Sequence, residues 1–303
     1  MIYQKMMMGS ASNSTGKFVL FNKTSGRVAT SLDGITWVSG DTPFTTAGKT
    51  IAGFSAGNGM YVAGSNASGA FTCYSMDGLN WTQCPTSYNM ECCAYSKELG
   101  MWVSGTYYYS TQAAKSTDGI NWTPTTNVQI QAVTAFNGKF VASYTGYGTG
   151  YTSIDGINWV NTWNMPSSGG EPSVANGICF TWTANNDNGW HNLWGYKSLD
   201  GTTFSYDANL PNNIFSMIYV NGAYFSGARF GWNSSNYKST DGVNWTTLVV
   251  PAVFSKIFTN GVNLVGFVAN GSVYYSTDWG NSWVSAGQPA GAGNGENYTV
   301  LYG

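Results

Sequence analysis

Short aromatic and β-branched runs recur along this chain, each closed by a cluster of Gly, Asn, Asp, Ser or Thr, a pattern that predicts short strands joined by tight turns. The turns themselves repeat. Ser31-Leu-Asp33-Gly34-Ile-Thr-Trp37 returns at Ser75 to Trp81, Ser116 to Trp122, Ser153 to Trp159, Ser198 to Phe204 and Ser239 to Trp245, and a copy one residue longer runs from Ser276 to Trp283. Successive serines lie 44, 41, 37, 45, 41 and 37 residues apart, so the first three intervals nearly match the last three, as duplication of a three-unit block would leave them.

Asp-Gly between two apolar runs is a strong hairpin signal, because Gly accepts the positive φ that the turn needs. A second turn falls midway between these, at Asn58-Gly59, Asn137-Gly138, Asn176-Gly177, Asn221-Gly222 and Asn260-Gly261, with Leu99-Gly100 and Thr15-Gly16 in the equivalent slots. Two hairpins in each period of about forty residues make four strands, A to D, and four-stranded units at this period are propeller blades. The expected fold is therefore all-β, a seven-bladed β-propeller of four-stranded antiparallel blades. Its blades are expected over residues 1–286, beginning with a strand around Lys5 to Ser10 that places Met6, Met7 and Met8 on the central channel. Residues 287–303 read as a Gly/Ala-rich linker and one last strand, Tyr298 to Tyr302, that either closes the ring or adds to another subunit's sheet.

The copy from Ser276 to Trp283 resembles the Asp-box, or bacterial-neuraminidase-type, repeat Ser/Thr-x-Asp-x-Gly-x-x-Trp, and the other six resemble a version shortened by one residue. The resemblance spans nearly the whole chain. It implies a propeller with Asp-box-like C-to-D turns, in which Asp33, Asp77, Asp118, Asp155, Asp200, Asp241 and Asp278 are structural. For activity it implies little, since Asp-box propellers include sialidases, other glycosidases, receptors, assembly factors and bacteriophage virion proteins.

Composition narrows these choices. Sialidases use three arginines to hold the substrate carboxylate, and this chain has only Arg27 and Arg229, so a sialidase is excluded. Other glycosidases need one carboxylate pair. Outside the repeated turns the acidic residues are Asp41, Glu91, Glu98, Glu171, Asp187, Asp207 and Glu296, which are few and scattered. His191 is the only histidine, and Cys73, Cys84, Cys92, Cys93 and Cys179 lack metal-ligand spacing, so neither a metal site, a cofactor nor a Ser-His-Asp triad is expected, and the cysteines read as buried thiols, with a Cys73 to Cys84 bridge across one hairpin as the alternative. Net charge is -2 with no basic stripe, which argues against nucleic acid. No apolar run reaches a membrane span, and the first residues lack the apolar core of a signal peptide.

In a four-stranded meander the A-to-B and C-to-D turns share one end of the blade, and the longer B-to-C and D-to-A connections share the other, where binding residues are expected. From the A-to-B glycine to the motif serine, blade 5 is the longest at 21 residues, and its surplus falls in Asn185 to Trp194. Trp163, Trp182, Trp190, Trp194 and Trp232 cluster in this part of the chain, and Tyr107 to Tyr109, Tyr144 and Tyr147 fall in equivalent loops. Flat rings beside Asn, Asp and His suit a carbohydrate, or they pack between blades or subunits. The ligand-binding candidates are Asp187, Trp190, His191, Trp194, Trp232, Tyr108 and Tyr147. With no catalytic set to assemble, the expected function is non-enzymatic. The composition, low in charge and rich in Gly, Ser, Thr, Asn and aromatics, resembles bacteriophage tail and fibre proteins. The leading reading is thus a virion component, exposed after cytoplasmic assembly, with other virion proteins or a host glycan as partners and with homo-oligomers through the C-terminal strand as an option. A cellular lectin-like propeller comes second and a glycoside hydrolase third.

Overall fold

The computed structural model describes residues 16–65, 69–106, 112–144, 149–164, 172–184, 193–228, 235–291 and 298–303. They form seven four-stranded antiparallel sheets arranged in a ring, a seven-bladed β-propeller. Blade 2 is representative, with strands Gly53–Gly57, Met60–Ser65, Phe71–Ser75 and Thr82–Gln83 running from the channel to the rim. The first strands of successive blades adjoin one another around the channel. The outermost strands of blades 2, 5 and 6 are only two residues long, Thr82–Gln83, Ser205–Tyr206 and Thr246–Thr247, which limits the unpaired edge those blades offer to other chains.

Four of the five Asn-Gly hairpins close as two-residue turns, whereas Asn260-Gly261 sits in a four-residue loop between Thr259 and Leu264. Asn58, Asn137, Asn176 and Asn221 take φ of 48 to 50° and the glycine after each takes 69 to 75°, the two successive left-handed residues of a type I′ turn.

Blade 1 departs from expectation. Its innermost strand is Tyr298–Tyr302, paired antiparallel with Phe18–Asn22 in the register Phe18 to Tyr302 and Asn22 to Tyr298. The place expected for Lys5 to Ser10 is therefore filled by the end of the chain, and Met6, Met7 and Met8 lie outside the described residues. Thr15, expected with Gly16 in an A-to-B turn, lies outside the described residues. The two chain segments meet at Lys17, with the Lys17 amide donating to the Gly303 carbonyl at 2.7 Å and the Tyr61 hydroxyl of blade 2 donating to the same oxygen at 2.7 Å.

The core lies between blades. A second strand has neighbours on both faces, so apolar side chains point to both sides along most of its length. Val19 and Phe21 pack with Tyr61, Ala63 and Trp81 of blade 2, while Phe18 and Leu20 pack with Val265 and Phe267 of blade 7. The five cysteines are free thiols, four of them buried and Cys92 half-buried. Burial pushes Cys84 and Cys179 up to about 12, so they behave as small apolar groups.

Gly78 shows how a repeated turn also joins blades. Its φ is +76°, and a methyl there would sit 2.7 Å from Val19 Cγ2 of blade 1. Gly59 has φ +71° with nothing within 4 Å. Gly59→Ala is expected to cost about 1–2 kcal/mol, the left-handed strain alone, and Gly78→Ala about 1–3 kcal/mol more for overpacking. Urea unfolding of the two variants measures the difference, and equal losses would contradict an inter-blade role for Gly78.

Candidate functional site

The two ends of the ring are built differently. At the hairpin end the C-to-D turns are copies of one hydrogen-bond set. The Ser31 hydroxyl donates to Asp33 Oδ1 at 2.9 Å and accepts from the Gly34 amide at 2.8 Å, and Asp33 Oδ1 also accepts the Ile35 and Thr36 amides at 2.8 Å each. In blades 2, 3, 4 and 6 an asparagine amide adds a bond to Oδ2 at 2.7 or 2.8 Å, from Asn80, Asn121, Asn158 and Asn244. The longer seventh turn puts Trp279 at φ +57° and uses Ser282 as donor through both its amide and its hydroxyl.

These bonds hold the aspartates ionised. For Asp77, Asp118 and Asp155 burial opposes the charge, but amide, asparagine and serine donors outweigh it and keep the carboxyl at about 2. Asp200, held first by the Thr203 amide, and Asp278, held first by the Ser282 hydroxyl, also lie at about 2. A general acid needs the opposite shift. The motif aspartates are turn acceptors.

At the other end, where the B-to-C and D-to-A connections lie, Trp194 is the one predicted ligand residue that the structure describes. It stands half-buried on Leu193–Ser198, the third strand of blade 5, with its ring 5.4 Å from Tyr206 at an interplanar angle of 43°. Tyr206 lies across the ladder from Tyr196, whose ring is 5.8 Å away, and is 52% exposed at the rim. Sequence reasoning missed Tyr206. Asp187, Trp190, His191, Trp232, Tyr108 and Tyr147 lie outside the described residues. Trp182 is fully buried between blades 5 and 6, with Phe180, Leu210 and Met217, and cannot serve a ligand platform.

Among the remaining carboxylates, Asp41 pairs with Arg27 at 3.4 Å. Asp207 is buried at the outer end of blade 5 and pairs with Lys197 at 2.5 Å, while its Oδ1 accepts from the Asn209 amide at 3.0 Å. Burial opposes its charge, yet Lys197 and Asn209 keep it below the ordinary carboxylate range. Glu98 accepts from Ser96 inside a turn. Glu171, Asp187 and Glu296 lie outside the described residues. Among the described residues no group of three or more His, Cys, Asp or Glu is placed to hold a metal ion, and no helix is long and apolar enough to cross a membrane.

No protein-family model matches the chain, and no curated protein matches it. Solved structures do. A protein of Lactobacillus plantarum superposes with a TM-score of 0.65 at 12% identity, over 94% of this chain and 99% of that one. Virginiamycin B lyase from Staphylococcus aureus gives 0.60 at 11%, over 89% and 88%. YCF48 from Cyanidioschyzon merolae gives 0.59 at 13%, over 82% and 88%. The shared property is the propeller fold, which in these proteins serves different functions.

The depressed aspartate pKa values predict an acid limit. A carboxyl that ionises at about 2 when folded and near 4 when unfolded stabilises the fold above pH 4 and loses that contribution as pH falls from about 4 to 2. Calorimetry is expected to show Tm declining through this window, with Asp118→Ala losing stability at pH 7 and showing a shallower decline below pH 4. An unchanged slope would count against Asp118 as a contributor.

Proposed function

We propose that this chain is a non-enzymatic binding or structural propeller, a tail, fibre or decoration component of a bacteriophage-like particle. In this reading its loop-bearing end meets a host glycan or a neighbouring subunit. The observation that carries the binding role is the Trp194 and Tyr206 pair, two rings close together at the rim of the longest blade, with Tyr206 open to solvent. Such rings stack on the C–H faces of a sugar or on a partner's apolar side chains. The particle assignment draws on composition, 9% charged and rich in Gly and aromatics, and on the resemblance of the repeated turn to the Asp-box. The non-enzymatic assignment draws on the carboxylates, since the motif aspartates are acceptors in turns and Asp41 and Asp207 are neutralised by ion pairs. The fold does not decide the matter, because virginiamycin B lyase shares it.

Two measurements test the proposal together. Mass spectrometry of purified particles from the producing cells is expected to find the chain, and a glycan array or subunit pull-down is expected to show binding that Trp194→Ala with Tyr206→Ala weakens about tenfold, close to the worth of two aromatic contacts. Glycan binding without particle incorporation would move the reading to a cellular lectin. Sugar release from a polysaccharide panel would replace it with a hydrolase.

A further inference from the structure

The repeated turn leaves one position without a structural task. Between its serine and its aspartate stands a side chain that is exposed in every blade, and Thr117, Thr240 and Thr277 fill the place in blades 3, 6 and 7. Blades 1, 2, 4 and 5 instead carry Leu32, Met76, Ile154 and Leu199, exposed by 58, 64, 69 and 73%. The order apolar, apolar, Thr thus occurs in both three-blade blocks, which sets two apolar arcs on the hairpin end, one over blades 1 and 2 and one over blades 4 and 5. The first arc extends to Val262, itself 69% exposed, because Asn260 and Asn263 of the same turn donate to the Leu32 and Asp33 carbonyls at 3.0 Å each. Asn137 links blade 4 to the Leu199 carbonyl in the same way at 3.2 Å. Nothing in the serine and aspartate bonds calls for these apolar groups, and each exposes more than half of its surface on the same end of the ring.

Charge identifies the occupant. Beside the apolar groups stand the seven motif aspartates and Glu98, against Lys17, Lys97, Lys115, Lys139 and Lys238, so the described residues leave this end acidic. Each motif Oδ1 already accepts several turn donors, whereas Oδ2 accepts at most the one side-chain bond described for it and keeps acceptor capacity. A second copy docked face to face would set two rings of ionised aspartates against each other, and an anionic bilayer would be repelled likewise.

We propose that the hairpin end is a docking surface, separate from the loop-bearing end, whose two arcs each take a protein segment with apolar side chains flanked by Lys or Arg. The apolar groups supply the contact and the aspartates supply orientation and discrimination.

The test uses the full chain and a fluorescent amphipathic helical peptide of about 14 residues, long enough to lay one apolar face along a groove, with leucines on one face and lysines beside them. Controls replace its lysines by glutamates or its leucines by serines. The protein is expected to bind two equivalents of the lysine-leucine peptide and to bind the controls at least about tenfold more weakly. Replacing Leu32, Met76, Ile154 and Leu199 together by Thr, which the same turn accepts in blades 3, 6 and 7, is expected to abolish binding with Tm unchanged. Leu32→Thr with Met76→Thr, or Ile154→Thr with Leu199→Thr, is expected to remove one equivalent each, which keeps the test intact if the fourfold variant folds poorly. Trp194→Ala with Tyr206→Ala is expected to leave this binding unaltered. Equal binding by the fourfold variant, equal binding of the glutamate peptide, or self-association in sedimentation that the Thr replacements abolish would each overturn the proposal.

Discussion

Each blade is fastened to its neighbour at one recurring point, where the positive-φ glycine of the repeated turn lies against the second strand of the blade before it. Gly78 meets Val19, Gly119 meets Val62, Gly156 meets Val103, Gly201 meets Val141 and Gly280 meets Phe225, all too close for a Cβ to fit without movement. The serine and aspartate bonds hold the turn in the shape that brings the glycine there. Local turn chemistry and long-range packing are thus the same feature, and this is why the motif tolerates so little variation while the rest of each blade differs. Blade 6 is the exception. Gly242 meets Tyr224 of its own second strand, and the Tyr224 hydroxyl accepts a hydrogen bond from Asn176 of blade 5 at 2.9 Å, so the tyrosine itself spans the junction.

The seam between blades 7 and 1 carries the chain from Val284–Gly287 into Tyr298–Tyr302, the innermost strand of blade 1, so the break between the two chain segments lies inside blade 1 and is closed by strand pairing. It uses the common device, with Gly34 against Val265, where a Cβ would come within 2.2 Å of Cγ2. It adds a second one, the strand Tyr298–Tyr302 taken into the sheet of blade 1, with the Tyr302 ring 4.8 Å from Phe18. Asn260 and Asn263 of blade 7 add hydrogen bonds across the same seam to the turn of blade 1. The three together give a ring whose two chain segments meet inside one blade, so closure couples residues that are farthest apart in sequence.

Blade number, strand count and turn placement were legible in the sequence because each rests on neighbouring residues. Ser, Asp and Gly at fixed offsets state their own geometry, and Asn-Gly gives a type I′ turn in four of its five A-to-B copies. What failed were statements that depend on distant partners. A strand around Lys5 to Ser10 and a strand at Tyr298 to Tyr302 look equally able to pair with Phe18 to Asn22, and only the assembled ring decides between them. Trp182 groups with the loop-end aromatics in sequence because it lies in the same part of the chain. In the fold the second strand is covered on both faces, so its apolar run gives no alternation from which to tell core from surface.

The same distinction separates the two ends of the molecule. At the loop-bearing end, segment length varies and the sequence is richest in aromatic residues toward blades 5 and 6, so function there is read from composition. At the hairpin end, identical turns make a controlled comparison possible. Six of the seven copies share their length, all share the serine and aspartate bonds, and they differ at an exposed position where Thr and large apolar residues both occur. Because the turn's own physics is constant from blade to blade, it cannot account for the choice between Thr and Leu. The serine and aspartate bonds form with either residue, and in the proposal above the partner that meets this face selects between them. A repeated structure therefore shows function most clearly where its copies disagree without structural cause.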